Sequence, residues 1–255
     1  MQDLASAPRD AFRGVRFVLT DMDDTLTHEG RLSGATYAAL EKLHDMAFRV
    51  IVVTAAPAGW CDQMARMWPI DGVIGENGGF IFRRGENRGL LRDFWHGADQ
   101  RAELREIGDR IRARVPDATL ADDQPFRLSS IAFARPENPN TRAAILAAMR
   151  EAGLRATENN LWVLGWLGDF DKLAMTRRVL TDVADDEICY TGDSENDAPM
   201  FRTFRHTIGM STVRDQALSS YPRWITRSPG GAGFVEAAEA VLASNSARAS
   251  GRADR

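Results

Sequence analysis

Two short runs, residues 15–20 and 50–53, are dominated by apolar side chains, and the second shows no polar alternation at all. A strand with one face in water alternates; a strand buried on both faces does not. Between these runs Tyr37, Leu40, Leu43 and Ala47 recur at helical spacing. The pattern predicts strand, helix, strand, and hence a parallel sheet covered by helices, its strands joined by right-handed crossovers. Few chains with this pattern can do otherwise.

The fold class predicted is α/β: a Rossmann-like parallel-sheet core interrupted by a smaller inserted α/β cap domain. A helix over 60–67 leads to a third strand at 72–74, and the alternation changes at Gly78 and Gly79. There follow a strand at 80–83, a charged helix at 99–114, a strand at 126–134, a helix at 141–152 and a strand at 161–167. From Lys172 the strand and helix alternation resumes, with strands at 188–191, 207–210 and 224–226 and a last helix at 233–243. The expected boundaries are 1–82 with 170–255 for the core and 83–169 for the cap. The first 13 residues, and the tail from about Ser244, lack apolar periodicity and are expected to fray.

Composition limits what such a chain can serve. Its 255 residues are 44% apolar, enough for a sizeable core. A net charge of -4, with basic residues scattered rather than striped, argues against a nucleic-acid surface. No apolar run approaches the roughly 20 residues of a membrane span, and the start does not resemble a signal peptide. Cys61 and Cys189 lie far apart, consistent with free thiols in a reducing cytoplasm. The expectation is a cytoplasmic protein, monomer or homodimer, with no nucleic-acid or membrane partner. One bias stands out: 30 arginines but only two lysines, Lys42 and Lys172.

In open parallel sheets the functional groups gather beyond the carboxyl ends of the strands. Four places qualify: Asp21 to Thr25 after the first strand, Thr54 after the second, Lys172 at a helix start, and Gly192 to Asp197 after a later strand. Either acidic turn alone reads equally well as a helix cap. Together at one sheet edge their carboxylates would repel unless a divalent cation sat between them, and hard oxygen ligands suit magnesium. A compact ammonium also differs from a planar guanidinium, so a lysine in a chain that otherwise uses arginine points to a crowded site. Lys42, on the first helix, reads as solvated.

In order and spacing these segments resemble the four signatures of the haloacid-dehalogenase-like phosphatase superfamily: Asp21-Met22-Asp23-Asp24-Thr25, then Thr54, then Lys172, then Gly192-Asp193 with Asn196-Asp197. The insert resembles the IIB-type α/β cap of sucrose-phosphate, trehalose-phosphate and mannosylphosphoglycerate phosphatases and of phosphomannomutases, whose turn Glu76-Asn77-Gly78 also looks similar. The resemblance implies a phosphatase acting on a small phosphorylated metabolite such as a sugar phosphate. Asp21 would be the nucleophile, forming an aspartyl phosphate, and Asp23 the general acid and base. Mg2+ would be held by Asp21, the Asp23 carbonyl and Asp193, with Asp197 supporting that shell. Thr54 and Lys172 would bind phosphoryl oxygens; Asp24, Asn77 and Asn196 would complete the substrate site.

Where many relatives carry Gly-Arg after the Thr54 position, this chain has Ala55-Ala56. Arg127 and Ser129 share one parity of the strand expected at 126–134, so they are expected to face the site and read a hydroxyl or second anion. Trp162, Leu164 and Trp166 share a face and are expected to pack the cap. His28, His44, His96 and His206 show no ligand spacing. The alternatives to a phosphatase are a sugar phosphomutase and a non-catalytic magnesium-binding module; the leaving-group acid and the cap speak against the second.

Overall fold

The computed structural model describes residues 1–159 and 161–245. The first part of the chain forms β1 (Gln2–Asp3), β2 (Phe17–Thr20), a small hairpin of β3 (Thr27–His28) and β4 (Arg31–Leu32), α1 (Gly34–Asp45), β5 (Arg49–Val53), α2 (Ala58–Met67) and β6 (Gly72–Gly75). Next come β7 (Phe80–Arg84), β8 (Leu90–Phe94), α3 (Arg101–Arg114), β9 (Ile131–Ala134), α4 (Pro139–Glu151), β10 (Arg155–Glu158) and β11 (Trp162–Trp166). The chain closes with α5 (Lys172–Val179), β12 (Ile188–Gly192), α6 (Ala198–Thr203), β13 (His206–Gly209), β14 (Trp224–Ile225) and α7 (Gly230–Ser244).

Nine strands form one sheet in the order β1-β14-β13-β12-β2-β5-β6-β7-β8, parallel from β1 to β6 and antiparallel at β7 and β8. The apolar runs are explained by its two covered faces. Val18, Val50 and Val52 join the cluster that includes residues of α1, α2 and α7, while Leu19, Ile51 and Val53 join the opposite cluster with residues of α5 and α6. Successive side chains of one strand therefore enter different cores. The chain leaves β2 for β5 on one side and later returns to β12 on the other. This reversal makes the ends of β2 and β12 the topological switch point.

A second sheet, β10-β11-β9, is antiparallel and lies outside the large one. Ile131, Phe133 and Val163 face α3 and α4, whereas Ala132, Leu164 and Trp166 turn the other way, onto Ala55 and Phe170. The Trp162 face thus packs across the seam between the two layers rather than inside the smaller one.

Several expectations need correction. The hairpin of β7 and β8 belongs to the large sheet, so a core boundary at residue 83 cuts a hairpin whose ten residues are laddered together. The first 13 residues do not fray: β1 pairs with β14, Leu4 and Phe12 are buried, and Asn245 donates to the Phe12 carbonyl at 2.9 Å. The tail beyond Asn245 lies outside the described residues. The strand expected at 126–134 is shorter, with residues 124–126 in a 3-10 turn: the Phe126 and Arg127 amides bond back to the Asp123 and Gln124 carbonyls, and the Leu128 and Ser129 amides go to Glu76, in place of a ladder.

The layers are joined by a buried carboxylate. Glu76, fully buried in the turn after β6, accepts bonds from the backbone amides of Ala58 (3.1 Å), Leu128 (2.8 Å) and Ser129 (2.7 Å) and from the Ser130 hydroxyl (2.7 Å). Its backbone is left-handed at Glu76 and Asn77, and Gly78 follows at φ 111°, where a Cβ would stand 2.3 Å from the Asp171 carbonyl. Burial raises the Glu76 carboxyl above its ordinary range while Arg127 and these donors pull it back. Replacing Glu76 by Ala strands four donors, three of them across the seam. A loss of about 3 kcal/mol in urea-induced unfolding is expected; a loss below about 1 kcal/mol would show that the seam does not depend on this carboxylate.

Candidate active site

Three adjacent parallel strands deliver the site. β12, β2 and β5 end at Asp193, Asp21 and Thr54, and the Asp21 amide continues the ladder to the Thr191 carbonyl at 2.9 Å. Behind them the hydroxyls of Thr20 and Thr191 bond each other at 2.8 Å, which locks the two strand ends in register. Lys172, the first residue of α5, enters from the side; Asp171 caps that helix by accepting from the Ala174 amide at 2.8 Å.

Lys172 is buried, and its Nζ lies 3.0 Å from Asp21 Oδ1 and 2.7 Å from Asp197 Oδ1. Asp21, Asp193 and Asp197 bring carboxylate oxygens within 4.8 Å of one another. Asp197 is saturated: Oδ1 accepts from Lys172 and the Tyr190 hydroxyl, and Oδ2 from the amides of Asp193 (2.9 Å) and Ser194 (3.1 Å). A carboxylate accepts about four bonds, so Asp197 has none left for a cation. Asp21 Oδ1 is likewise taken, by Lys172 and the Met22 amide (2.8 Å), and Asp193 Oδ1 accepts the Thr25 hydroxyl (3.0 Å). Among the described residues, Oδ2 of Asp21, Oδ2 of Asp193 and the Asp23 carbonyl receive no donor. These three oxygens could hold a divalent cation.

Burial pushes Asp21 up to about 7 against the pull of Lys172, with Asp197 and Asp23 adding to the push. Asp23 is raised to about 6, first by burial and then by Asp24. Asp193 is driven well above its ordinary value by burial and by Asp21 and Asp197. The same carboxylates hold Lys172 as an ammonium despite its burial.

Above the strand ends a cavity of about 30 Å3 is walled by Asp21, Asp23, Asp24, Ala55, Asp193 and Asn196, with Asn159 and Leu161 of the smaller layer also lining it. Thr54 sits just behind this wall, fully buried. Its hydroxyl accepts the Ala56 amide at 3.0 Å, and its carbonyl accepts the Asn77 amide at 3.0 Å. Asp24 adopts φ 53°, a left-handed conformation that turns the chain back toward β3.

Known proteins share this geometry in part. Residues 18–93 match the model of the haloacid dehalogenase-like hydrolases. The core of this protein is a haloacid dehalogenase-like hydrolase fold. Two curated relatives, both named phosphoglycolate phosphatase, are 27% identical: that of Methanoculleus marisnigri over 88% of this chain and 95% of its own, and that of Archaeoglobus fulgidus over 86% and 94%. Among solved structures, Thermoplasma acidophilum 0175 superposes with a TM-score of 0.74 at 16% identity, covering 90% of this chain and 99% of its own. The HAD subclass IIB sugar phosphatase BT4131 gives 0.63 at 14% identity, covering 88% and 98%.

Within the haloacid dehalogenase-like core, Asp21, Asp23, Asp24, Asp193 and Asn196 share one cavity, while Asn77 and Lys172 line a neighbouring one. Arg127 and Ser129 do not reach either. The Arg127 fork is bidentate on Asp123 (2.9 and 2.7 Å), and its Nη1 donates to the Ala55 carbonyl (3.0 Å) and the Ser130 hydroxyl (3.2 Å). The Ser129 amide is bound by Glu76, and both side chains are buried. Parity failed here because the segment is a turn, not a strand. Asn159, Leu161 and Arg155 were not anticipated from sequence, since β10 is a short edge strand with weak alternation.

A raised carboxyl binds its proton more tightly folded than unfolded. Its contribution is present below the unfolded value near 4 and is lost as pH rises through the folded value near 7. In EDTA, the urea midpoint should therefore fall between about pH 5.5 and pH 8, less so in Asp21→Asn, and a divalent cation should raise it more at the higher pH. A midpoint independent of pH and cation would contradict the crowding of carboxylates described above.

Proposed function

We propose that this protein is a magnesium-dependent phosphomonoesterase that works through an aspartyl phosphate on a small phosphorylated metabolite. The observation that carries the reading is the buried Lys172 ammonium bridging Asp21 and Asp197, close to Asp193 and to a small cavity at the strand ends. A structural ion pair has no need of further carboxylate oxygens left without a protein donor in a cluster whose side chains approach within 4.8 Å. A non-catalytic module has no need of Asp23.

Asp21 attacks phosphorus with its carboxylate, which Lys172 and the Met22 amide hold in place. As the P–O bond to the alcohol breaks, Asp23 gives the leaving oxygen its proton. A carboxyl raised to about 6 by burial is suited to hold that proton near neutral pH. Asp23 then takes a proton from the water that attacks the aspartyl phosphate, which frees Asp21 and releases phosphate. Lys172 and the Thr54 hydroxyl offset charge on the phosphoryl oxygens. Asp21, Asp193 and the Asp23 carbonyl are the groups that would hold magnesium, which when bound neutralises the phosphoryl dianion so that a carboxylate can approach it. Asp197 takes no part in binding; it positions Lys172 and the turn at Asp193.

The curated relatives point to phosphoglycolate and the BT4131 neighbour to sugar phosphates as the first substrates to try. Purified protein with magnesium should release phosphate from members of a phosphate-ester panel, and EDTA should abolish release. Asp21→Asn should lower kcat by at least about 10⁴-fold with the fold intact; substantial residual turnover would remove the nucleophile assignment. Isomer exchange in place of phosphate release would identify a phosphomutase instead. Asp23→Asn should cost about 10²-fold or more on alkyl esters and far less on p-nitrophenyl phosphate, whose leaving group needs no proton. Equal losses on both would exclude Asp23 as the general acid.

A further inference from the structure

The peptide unit between Ala55 and Ala56 is held at both of its polar ends. Its N–H, on Ala56, donates to the Thr54 hydroxyl oxygen at 3.0 Å, and its carbonyl, on Ala55, accepts from Arg127 Nη1 at 3.0 Å. One amide plane thus runs from a guanidinium of the smaller layer to the hydroxyl that follows β5. In a trans peptide the C=O and N–H point in opposite directions. A charged donor on the oxygen polarises the unit and makes its N–H a stronger donor on the far side.

Arg127 is placed to act on this carbonyl and on nothing else in the large layer. It is fully buried, with Nε and Nη2 on Asp123 at 2.9 and 2.7 Å, and the rest of Nη1 on the Ser130 hydroxyl at 3.2 Å. Its guanidinium carbon stands 5.5 Å from the centre of the Trp162 ring. Asp123, Ser130 and Trp162 all belong to the smaller layer, so the Ala55 carbonyl is the one point at which this charge meets the core. The neighbouring groups of the same loop are fixed from the Glu76 turn: the Glu76 amide donates to the Ala56 carbonyl at 3.2 Å and the Asn77 amide to the Thr54 carbonyl at 3.0 Å. A buried ion pair seldom stabilises a fold more than an apolar pair of the same volume would. Its presence here calls for a role in what it touches.

A hydroxyl has one hydrogen to give and rotates until something fixes it. The Thr54 oxygen already accepts the Ala56 N–H, and among the described residues no group accepts its hydrogen. With the amide on one side, the O–H turns away from it and is left as a donor, which is what a phosphoryl oxygen requires. Resting on the phosphatase reading above, we infer that Arg127 is a positioning residue for phosphoryl binding: through the Ala55–Ala56 peptide it fixes the Thr54 hydroxyl as a donor to the phosphoryl group. The smaller layer then contributes to binding of the phosphoryl group itself, without touching it.

The test is a double-mutant cycle between Arg127 and Thr54, read as calorimetric binding of inorganic phosphate to the full chain in magnesium buffer. Arg127→Met alone leaves the Asp123 carboxylate buried without its partner, so Asp123→Asn accompanies it and removes both charges together. The Arg127→Met/Asp123→Asn protein should bind phosphate about tenfold more weakly than the wild type. In a Thr54→Val background, which lacks the hydroxyl, the same two changes should alter binding by less than about twofold. An equal loss in both backgrounds would show that the guanidinium acts by its charge at a distance or that the fold is generally damaged, and would overturn the inference. So would unchanged binding when Thr54 is present. Either of these results leaves the phosphatase reading standing, because release of phosphate from esters by the wild type decides that separately. A wild type that neither releases nor binds phosphate removes both.

Discussion

A single buried ammonium governs how this molecule can be built. Three carboxylates converge within 4.8 Å at the ends of β2 and β12, and Lys172 is the buried charge that touches two of them, Asp21 and Asp197. Isolated burial of such ions costs several kcal/mol each, so the cluster holds together only if each charge is matched and hydrogen-bonded. Asp197 meets that condition fully, with four donors on two oxygens. Asp21 and Asp193 meet it by half, each through Oδ1. The division of labour among three chemically identical side chains is therefore set by which backbone amides and hydroxyls happen to face them.

The smaller layer completes this arrangement rather than merely covering it. The seam carries the packing of Leu164, Trp166 and Phe170 on Ala55, the Glu76 carboxylate bound to residues 128–130, and the Arg127 guanidinium on the Ala55 carbonyl. Ala55 follows Thr54 directly, so the loop that positions Thr54 is fixed from both layers. Here Arg127 and Asp123, a buried bidentate pair, act on the site through the Ala55 carbonyl and through charge felt by Asp23. They are positioning residues, not ligands.

The site was more legible in the sequence than the outline of the layers. Asp21, Thr54, Lys172 and Asp193 could be placed because parallel strands buried on both faces are conspicuous, and because their carboxyl ends must lie side by side. What stayed hidden lacked periodicity. Residues 1–13 look unstructured because β1 is only two residues long and the two side chains that are buried, Leu4 and Phe12, stand too far apart to form a period. The β8 strand, Leu-Leu-Arg-Asp-Phe, carries half-exposed edge residues that do not alternate, so its place in the large sheet is settled by pairing with β7 and not by any local pattern. Arg127 was misplaced for a related reason: parity arguments hold only inside a ladder, and the ladder begins at Ile131.

The arginine bias itself now has a structural meaning. Where a planar fork has two oxygens to hold, the chain uses arginine: Arg127 on Asp123 and Arg177 on Asp185. At Lys172 the geometry is different. Two carboxylates approach from separate directions, at 3.0 and 2.7 Å, in a fully enclosed pocket crowded by Tyr190 and Asp197. A guanidinium there would present its donors in one plane and demand volume that the strand ends do not leave, whereas an ammonium directs three donors tetrahedrally from a single atom. A lysine survives in a chain that otherwise avoids it because this position needs a point charge.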